Sequence, residues 1–248
     1  MALTFNGVDE YLSCATMGNY GGGMATNKPT VALWVKTTSE VKGFPVGNYN
    51  GSLQTQLTPS LNEESDGTVT SGAIRGFLRD DDNTYLAFGV DTDTGFNDGA
   101  WHSIVWSHDG PNDKGYIWLD GVAQTLAYAA QLTPDNFSNF SDPMFIGTAS
   151  VAGVPSASYF AGSLADVRFY DKLWTTTEAL IFHHSRGSDN IVDHLVARYQ
   201  LAQGPDGTDA AGTIADLSGN GYSATVVNDP DWLAAPLRVC KPPLIQAD

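Results

Sequence analysis

The side chains of this 248-residue chain whose types could do chemistry are His102, the adjacent pair His183-His184, Cys14, Cys240, and the carboxylates Glu63-Glu64 and Glu178. Hydrolysis of a glycosidic bond needs two carboxyl groups across it, about 5 to 5.5 Å apart for retention or about 6.5 to 9.5 Å for inversion. Glu63 and Glu64 are consecutive and point opposite ways if the backbone is extended. Glu178 follows Thr175 by three residues, the spacing of a capping box, which gives it a structural task. His183 and His184 on a helix face about 100° apart, so they do not readily share one metal ion, and solvation at a helix end near Gly187 accounts for them. No Gly-x-Ser-x-Gly elbow is present, and neither cysteine sits in a recognisable catalytic setting. Asp80-Asp81-Asp82-Asn83 is acidic, but it reads as a hairpin turn and lacks the spacing of a calcium loop. These residues point to a protein that holds a partner, not one that transforms it.

Holding a sugar calls for aromatic faces with polar groups beside them. Tyr49, Tyr85, Tyr116, Trp118, Tyr128 and Tyr159 are the available aromatics. Aromatics mostly fill cores, so the sequence singles out no subset of the six. Formal charge narrows the partners further: 28 acidic against 12 basic residues give −16, with no local cluster of Lys or Arg. That field repels phosphate backbones and argues against nucleic acid. No run approaches the ~18 to 20 apolar residues of a membrane span, and the N-terminus MALTFNGVDEYL has no basic region or apolar run of a leader. The expectation is therefore no membrane insertion and no signal peptide. A cytoplasmic protein, or one that reaches a virion surface or the outside by assembly or lysis, both fit. Cys14 and Cys240 lie near opposite ends and could meet if the terminal strands are neighbours. Without a secretory signal, two separate buried thiols are expected. The sequons at Asn50, Asn136 and Asn139 carry little weight for the same reason.

The elements that must position these residues are strands. Runs at Ala2 to Phe5, Tyr11 to Ala15, Val31 to Thr37, Ile74 to Leu78, Tyr85 to Val90, Trp101 to Ser107, Gly115 to Leu119, Met144 to Ile146, Leu164 to Tyr170 and Leu195 to Leu201 are separated by turn signals. The turns include Asn6-Gly7, Asp66-Gly67, Asp98-Gly99, Asp120-Gly121 and Asn220-Gly221. In the run from Tyr85 to Val90 the residues Leu86, Phe88 and Val90 share one face, a period of two. In the run from Gly115 to Leu119, Ile117 and Leu119 face one way while Tyr116 and Trp118 face the other, so one pair fills a core and the other covers a sheet exterior. Trp34 and Trp101 are expected to fill the space between two sheets. One short helix is predicted from Thr175, running through Ala179, Leu180 and Phe182 and ending at Gly187. Residues 41–72 are polar and rich in Gly, Ser and Thr, and read as a long loop or irregular hairpin. The fold class is all-β, an antiparallel two-sheet sandwich with one short helix. It forms a single domain over 1–235, followed by a Pro-containing tail over 236–248.

Several segments in order resemble the laminin-G-like, concanavalin A-like jelly-roll domains. Leu3-Thr4-Phe5-Asn6-Gly7-Val8-Asp9-Glu10-Tyr11-Leu12 resembles their opening strand, and Thr30-Val31-Ala32-Leu33-Trp34-Val35-Lys36 the next. Asn97-Asp98-Gly99-Ala100-Trp101-His102-Ser103-Ile104-Val105, followed by Asp109-Gly110 and Gly115 to Gly121, is the strongest match. The run from Phe160 to Tyr170 and the short helix resemble the closing strand and its trailing helix, and the likeness spans about residues 2 to 187. The segments 196–201 and 216–221 resemble one that commonly precedes the first strand in such domains, placed here at the other end as a circular rearrangement would put it. The resemblance makes His102 a member of a strand pattern, not a catalytic base. It implies a calcium ion at the sandwich rim held by Asp9 and Asp166 with Asn6 as a third ligand, although Ala165 stands where the family often has a second acid. Hydrolases of related sandwiches carry Glu, Asp and Glu alternately on one strand, an array this chain lacks.

These readings lead to a non-catalytic recognition or adhesion module whose partner is a glycan or a protein surface. An alternative from another class is a structural decoration or fibre component of a bacteriophage particle, contacting capsid or tail subunits through the tail from Pro236 to Asp248. A homo-oligomer is compatible with both. A glycoside hydrolase is disfavoured by the missing acid array.

Overall fold

In the computed structural model the described residues are 1–15, 17, 27–49, 56–137 and 142–234. They form two antiparallel sheets stacked as a jelly-roll sandwich with one α-helix. The first sheet runs β11 (Val122–Ala123), β10 (Lys114–Leu119), β9 (His102–Asp109), β3 (Thr30–Lys36), β16 (Ala161–Tyr170), β1 (Ala2–Asn6) and β20 (Asp231–Leu233), with β17 (Leu195–Tyr199) also paired to β16. The second runs β12 (Ala127–Gln131), β8 (Tyr85–Val90), β7 (Val69–Arg79), β5 (Gln56–Leu57), β4 (Val46–Tyr49), β13 (Met144–Ile146), β2 (Tyr11–Cys14), β19 (Ala224–Val227) and β18 (Thr213–Ile214). Three short strands attach to it: β6 (Ser60–Glu63) on β7, and the hairpin of β14 (Ser150–Val151) and β15 (Val154–Pro155) beside β4.

The period-two alternation sorts each strand's residues between two apolar environments. Val31, Leu33 and Val35 of β3, Ile104 and Trp106 of β9, Ile117 of β10, and Leu86, Phe88 and Val90 of β8 meet between the sheets. Ala32 and Trp34 of β3, Val105 of β9 and Trp118 of β10 face the other way, into a second cluster with Trp174, Ala179 and Phe182. That cluster lies under the helix α1 (Thr176–Ser185), which explains why strands of the first sheet are apolar on both faces. The expectation for Trp34 and Trp101 is corrected here: Trp106 occupies the inter-sheet core, while Trp34 and Trp101 belong to the layer beneath the helix. Tyr116 and Trp118 stack on each other at 5.7 Å on the same outer layer.

The helix begins as its sequence predicts. Thr175 Oγ1 accepts a hydrogen bond from the Glu178 backbone at 3.2 Å, and Glu178 Oε2 accepts from the Thr175 backbone at 2.8 Å. It ends with Arg186 in the left-handed region and Gly187 after it. The hairpin from β10 to β11 turns on Asp120 (φ 52°) and Gly121 (φ 78°), the two positive angles of a type I′ turn. A Cβ on Gly121 would stand 3.1 Å from the Leu180 Cα, so the turn packs directly on the helix.

Residues 41–72 are not a simple loop. They supply β4, β5, β6 and the start of β7: β4 pairs with β5, β6 and β7 form an irregular hairpin with a register shift, and β4 also meets the distant β13. The segments 196–201 and 216–221 sit side by side at the edge of the first sheet, β17 paired with β16 and the Leu217 backbone N–H donating to the Arg198 carbonyl, and the strands that follow them, β19 and β20, lie beside β2 and β1. Cys14 is fully buried in β2, and burial pushes its thiol up to about 12. Cys240, the sequons at Asn50 and Asn139, and the tail 236–248 lie outside the described residues.

Candidate binding face of the second sheet

One face of the second sheet is turned away from the core, and among the described residues no helix lies over β7 and β8. In β7, Ile74 and Leu78 point inward, so Arg75, Phe77 and Arg79 project outward together. In β8, inward Leu86, Phe88 and Val90 leave Tyr85 and Ala87 on the outer side. Register aligns these residues across strands: Tyr49 of β4 pairs with Gln56 of β5, Gln56 with Arg79, and Arg79 with Tyr85. The result is a transverse row, Tyr49–Gln56–Arg79–Tyr85, spanning four strands.

Beside the row lies a hollow of about 650 Å³ lined by Ser65, Asp66, Arg75, Phe77, Arg79, Asn83, Tyr85, Ala87 and Ala129. Phe77 forms its floor, stacked on Tyr85 at 5.5 Å. The Arg75 guanidinium lies 4.8 Å from the Phe77 ring centre, and that of Arg79 lies 4.9 Å from Tyr49 and 5.9 Å from Phe77. Arg75 donates from Nε to the Ser65 carbonyl at 3.2 Å and its Nη1 stands 3.3 Å from Glu63 Oε1. Arg79 Nη1 donates to Asn83 Oδ1 at 3.5 Å. The rim turns are pinned by carboxylates: Asp66 accepts from the Thr68 backbone at 2.8 Å, which holds its carboxyl below the usual range. Asp80 accepts from the backbones of Asp82, Thr84 and Asp135 at 3.0, 2.8 and 3.0 Å, so the acidic Asp80–Asn83 run is a turn, as its residues predict.

Glu63 is buried and committed. It pairs with Lys42 and Arg75 and accepts from the Ser60 hydroxyl. Glu64 turns to Thr70 Oγ1 at 2.5 Å. Of the six aromatics raised by the sequence, Tyr49 and Tyr85 sit on this face. Tyr116 and Trp118 are on the far side of the molecule under the helix, Tyr128 bonds the Gly115 backbone through its hydroxyl, and Tyr159 lies 6.4 Å from Tyr11. Arg75, Phe77, Arg79, Asn83 and Asp66 were not among the sequence candidates. Their signal was available in Arg75-Gly76-Phe77-Leu78-Arg79, a cation–aromatic–cation alternation on one strand face.

The three residues proposed for calcium are not brought together. Asn6 and Asp9 share the first turn, where Asn6 Nδ2 donates to Asp9 Oδ1 at 2.9 Å. Asn6 pairs with Ala161, five positions before Asp166, a separation of about 17 Å along β16 at roughly 3.4 Å per residue. Asp166 is fully buried, and its two oxygens receive Arg168 Nη2 at 2.5 Å and Arg198 Nε at 2.8 Å. Those guanidinium contacts occupy the carboxylate, so Asp166 belongs to an internal ion-pair network and not to a rim site. No group of three or more His, Cys, Asp or Glu side chains among the described residues is placed to hold a metal ion.

The histidines also have structural partners. His102 Nδ1 lies 2.8 Å from Asp120 Oδ2 and Nε2 lies 3.1 Å from Asp98 Oδ1. The hydrogen bond to Asp120 raises the His102 pKa above its ordinary value. His183 is 3.0 Å from Ser103 Oγ and stacks on Trp34 at 5.5 Å, which makes it a docking residue of the helix and not a solvated end.

Comparison with known proteins follows the same architecture. A putative carbohydrate binding protein from Bacteroides ovatus superposes with a TM-score of 0.62 at 16% identity, covering 96% of this chain and 62% of that one. The Ruminococcus gnavus IT-sialidase CBM40 bound to α2,3 sialyllactose gives 0.54 at 14% identity over 73% of this chain and 96% of that one. A SAP-like pentraxin from Limulus polyphemus gives 0.51 at 14% identity over 73% and 81%. At such identities the likeness is one of fold. No curated protein sequence matches the chain. A family model does, over residues 6–179, and by that match the chain belongs to the concanavalin A-like lectin/glucanases superfamily.

Proposed function

We propose that this chain is a non-catalytic recognition module that binds a glycan on the open face of its second sheet. The observation that carries the reading is the row Tyr49–Gln56–Arg79–Tyr85 beside a hollow of about 650 Å³. Aromatic rings offer stacking surfaces for pyranose faces, and Gln56, Asn83, Ser65 and Asp66 offer donors and acceptors for hydroxyl groups at the rim. The buried acid nearest this face, Glu63, is tied to two cations and a hydroxyl, which suits a scaffold role and not proton transfer. Structural relatives named as a carbohydrate binding protein and as a sialyllactose-bound module support the same reading.

The test is a glycan array followed by calorimetry on the wild type and on Tyr85→Ala. Binding that weakens on the order of tenfold or more in the variant, with unchanged circular dichroism, is the expected result. Failure of the wild type to bind any glycan, or release of cleaved sugar from a bound oligosaccharide, would overturn it.

A further inference from the structure

We infer that the chain pairs with a second copy of itself through β12, strand to antiparallel strand about a two-fold axis at Ala129, so that the second sheets of two copies join into one. A sheet edge is a row of backbone donors and acceptors ready for another strand, and natural edges are blunted by shortness, charge, proline or a covering segment. Most edges of this sandwich are blunted in that way. The terminal strands β11 and β18 have two residues each, and β20 has three, with Trp232 exchanging backbone hydrogen bonds with Gly207 and Thr208 at 2.8 Å. The outer side of β17 is covered by the turn at 216–220, where the Leu217 amide donates to the Arg198 carbonyl at 2.8 Å. The remaining terminal strand, β12, has five residues, four of them exposed, with no charge and no proline, and among the described residues it pairs with β8 alone. A bulge between Tyr128 and Ala130 twists this edge without covering it.

The strand is held ready for a partner. The Tyr128 hydroxyl donates to the Gly115 carbonyl at 3.2 Å across the two sheets, Gln131 Nε2 donates to the Asp113 carbonyl at 3.1 Å, and the Leu132 amide donates to the Tyr85 carbonyl at 3.1 Å. Little ordering is then left to be done on association. Charge selects the occupant. With 28 acidic and 12 basic residues, two copies repel wherever charged surfaces meet, but residues 121–134 carry no charged side chain and expose Val122, Ala127, Ala129 and Leu132. A cationic partner, which the acidic surface would draw elsewhere, finds no carboxylate on this segment. Antiparallel pairing of identical strands is self-complementary and closes at two copies. Ala129 also lines the hollow, with Tyr85 and Phe77 one and two strands further in. The pairing therefore sets two hollows on one continuous face, with β8 and its counterpart about 14 Å apart at roughly 4.8 Å per strand step. The use of that doubling rests on the glycan reading, whereas the pairing itself does not.

The experiment is sedimentation equilibrium on the full chain from about 1 to 500 μM, with amide exchange followed over the same range. The wild type is expected to dimerise within that range, with exchange in Ala127–Gln131 slowing as concentration rises. Ala129→Lys and Ala129→Asp each set like charges opposite one another across the axis, and each is expected to raise the dissociation constant on the order of tenfold or more. Their equimolar mixture is expected to associate as the wild type does, a rescue that damage to the fold would not give. Val192→Lys, at an exposed position outside this segment, is expected to leave the dimer unchanged. A wild type that stays monomeric throughout would overturn the inference and leave the edge to a strand of another protein. A dimer that persists in both Ala129 variants, or protection that does not reach β12, would overturn β12 as the contact, and a mixture that stays monomeric would overturn the two-fold at Ala129. None of these results bears on glycan binding, which the array reads separately.

Discussion

Asp166 and Arg168 are two residues apart on β16, yet their side chains meet at 2.5 Å, both fully removed from solvent. The meeting depends on a bulge: pairing with β3 shifts register between Ala165 and Arg168, and Asp166 takes a left-handed φ of 46°. Arg168 then reaches Asp189 at 2.5 Å, Arg198 reaches Asp166 and the Gly187 carbonyl, and the segment after the helix is fastened to the first sheet. Asp166→Asn tolerates the backbone angle but removes one charge from a buried network. The expected cost is about 3 to 5 kcal/mol, read as a lowered urea midpoint with an unchanged m-value. A loss below about 1 kcal/mol would show that the network is not a determinant of stability.

Asp120 is the clamp between the β10–β11 turn and the helix. It receives His102 Nδ1 at 2.8 Å and the Ser103 backbone at 2.9 Å, and lies 3.6 Å from His183 Nδ1. The His102 pKa is raised, chiefly by Asp120, so its contribution is fully present below the unfolded value of about 6.5 and is lost as pH rises through the folded value. Asp120→Asn is expected to flatten the stability profile on the alkaline side of that window and to speed amide exchange in Thr176–Ser185. Unchanged exchange in the helix would remove Asp120 from the docking contact.

His108 acts in the opposite direction. It is fully buried against Phe88, with ring centres 5.0 Å apart, and among the described residues neither ring nitrogen has a hydrogen-bond partner. Burial lowers its pKa to about 3. The unfolded chain therefore binds a proton below about 6.5 that the folded chain refuses until far lower, and stability falls as pH drops through that window. The limiting slope is about 1.4 kcal/mol per pH unit from this residue. His108→Phe should reduce that slope between pH 6 and 4 in urea titrations at successive pH values. A slope equal to the wild type's would place the acid sensitivity in other groups.

How much of this was legible in the sequence depends on whether the deciding contact was local. The Thr175–Glu178 box, the Asp120-Gly121 turn and the alternation of Leu86, Phe88 and Val90 are short-range patterns, and each stands as read. Tyr116 and Trp118 lie on the face opposite Ile117, as alternation predicts, but alternation alone does not say what covers that face, and the helix that does so draws Trp34 and Trp101 out of the inter-sheet core. The strands β4 to β6 are short and polar; β6 is held by a local, irregular pairing with β7, whereas β4 also depends on the distant β13. The resemblance names Asp166 as an ion ligand, and its neighbours in sequence reveal neither the bulge nor the distant Arg198 that occupies its carboxylate instead.

The transverse row offers the sharpest prediction about the proposed site, because Tyr49 and Tyr85 flank Arg79 from different strands. If one extended ligand lies across β4, β5, β7 and β8, the two tyrosines act on the same molecule but at different sugar units. Tyr49→Ala and Tyr85→Ala should then each weaken a long oligosaccharide, with effects that add within about 0.5 kcal/mol in a double-mutant cycle, since the rings share no direct contact. A disaccharide short enough to occupy only the hollow should be sensitive to Tyr85→Ala and indifferent to Tyr49→Ala, because Tyr49 is outside the hollow's lining. Calorimetry with oligosaccharides of increasing length measures both effects. Equal sensitivity of the disaccharide to both substitutions would place the ligand along a strand, and not across the row.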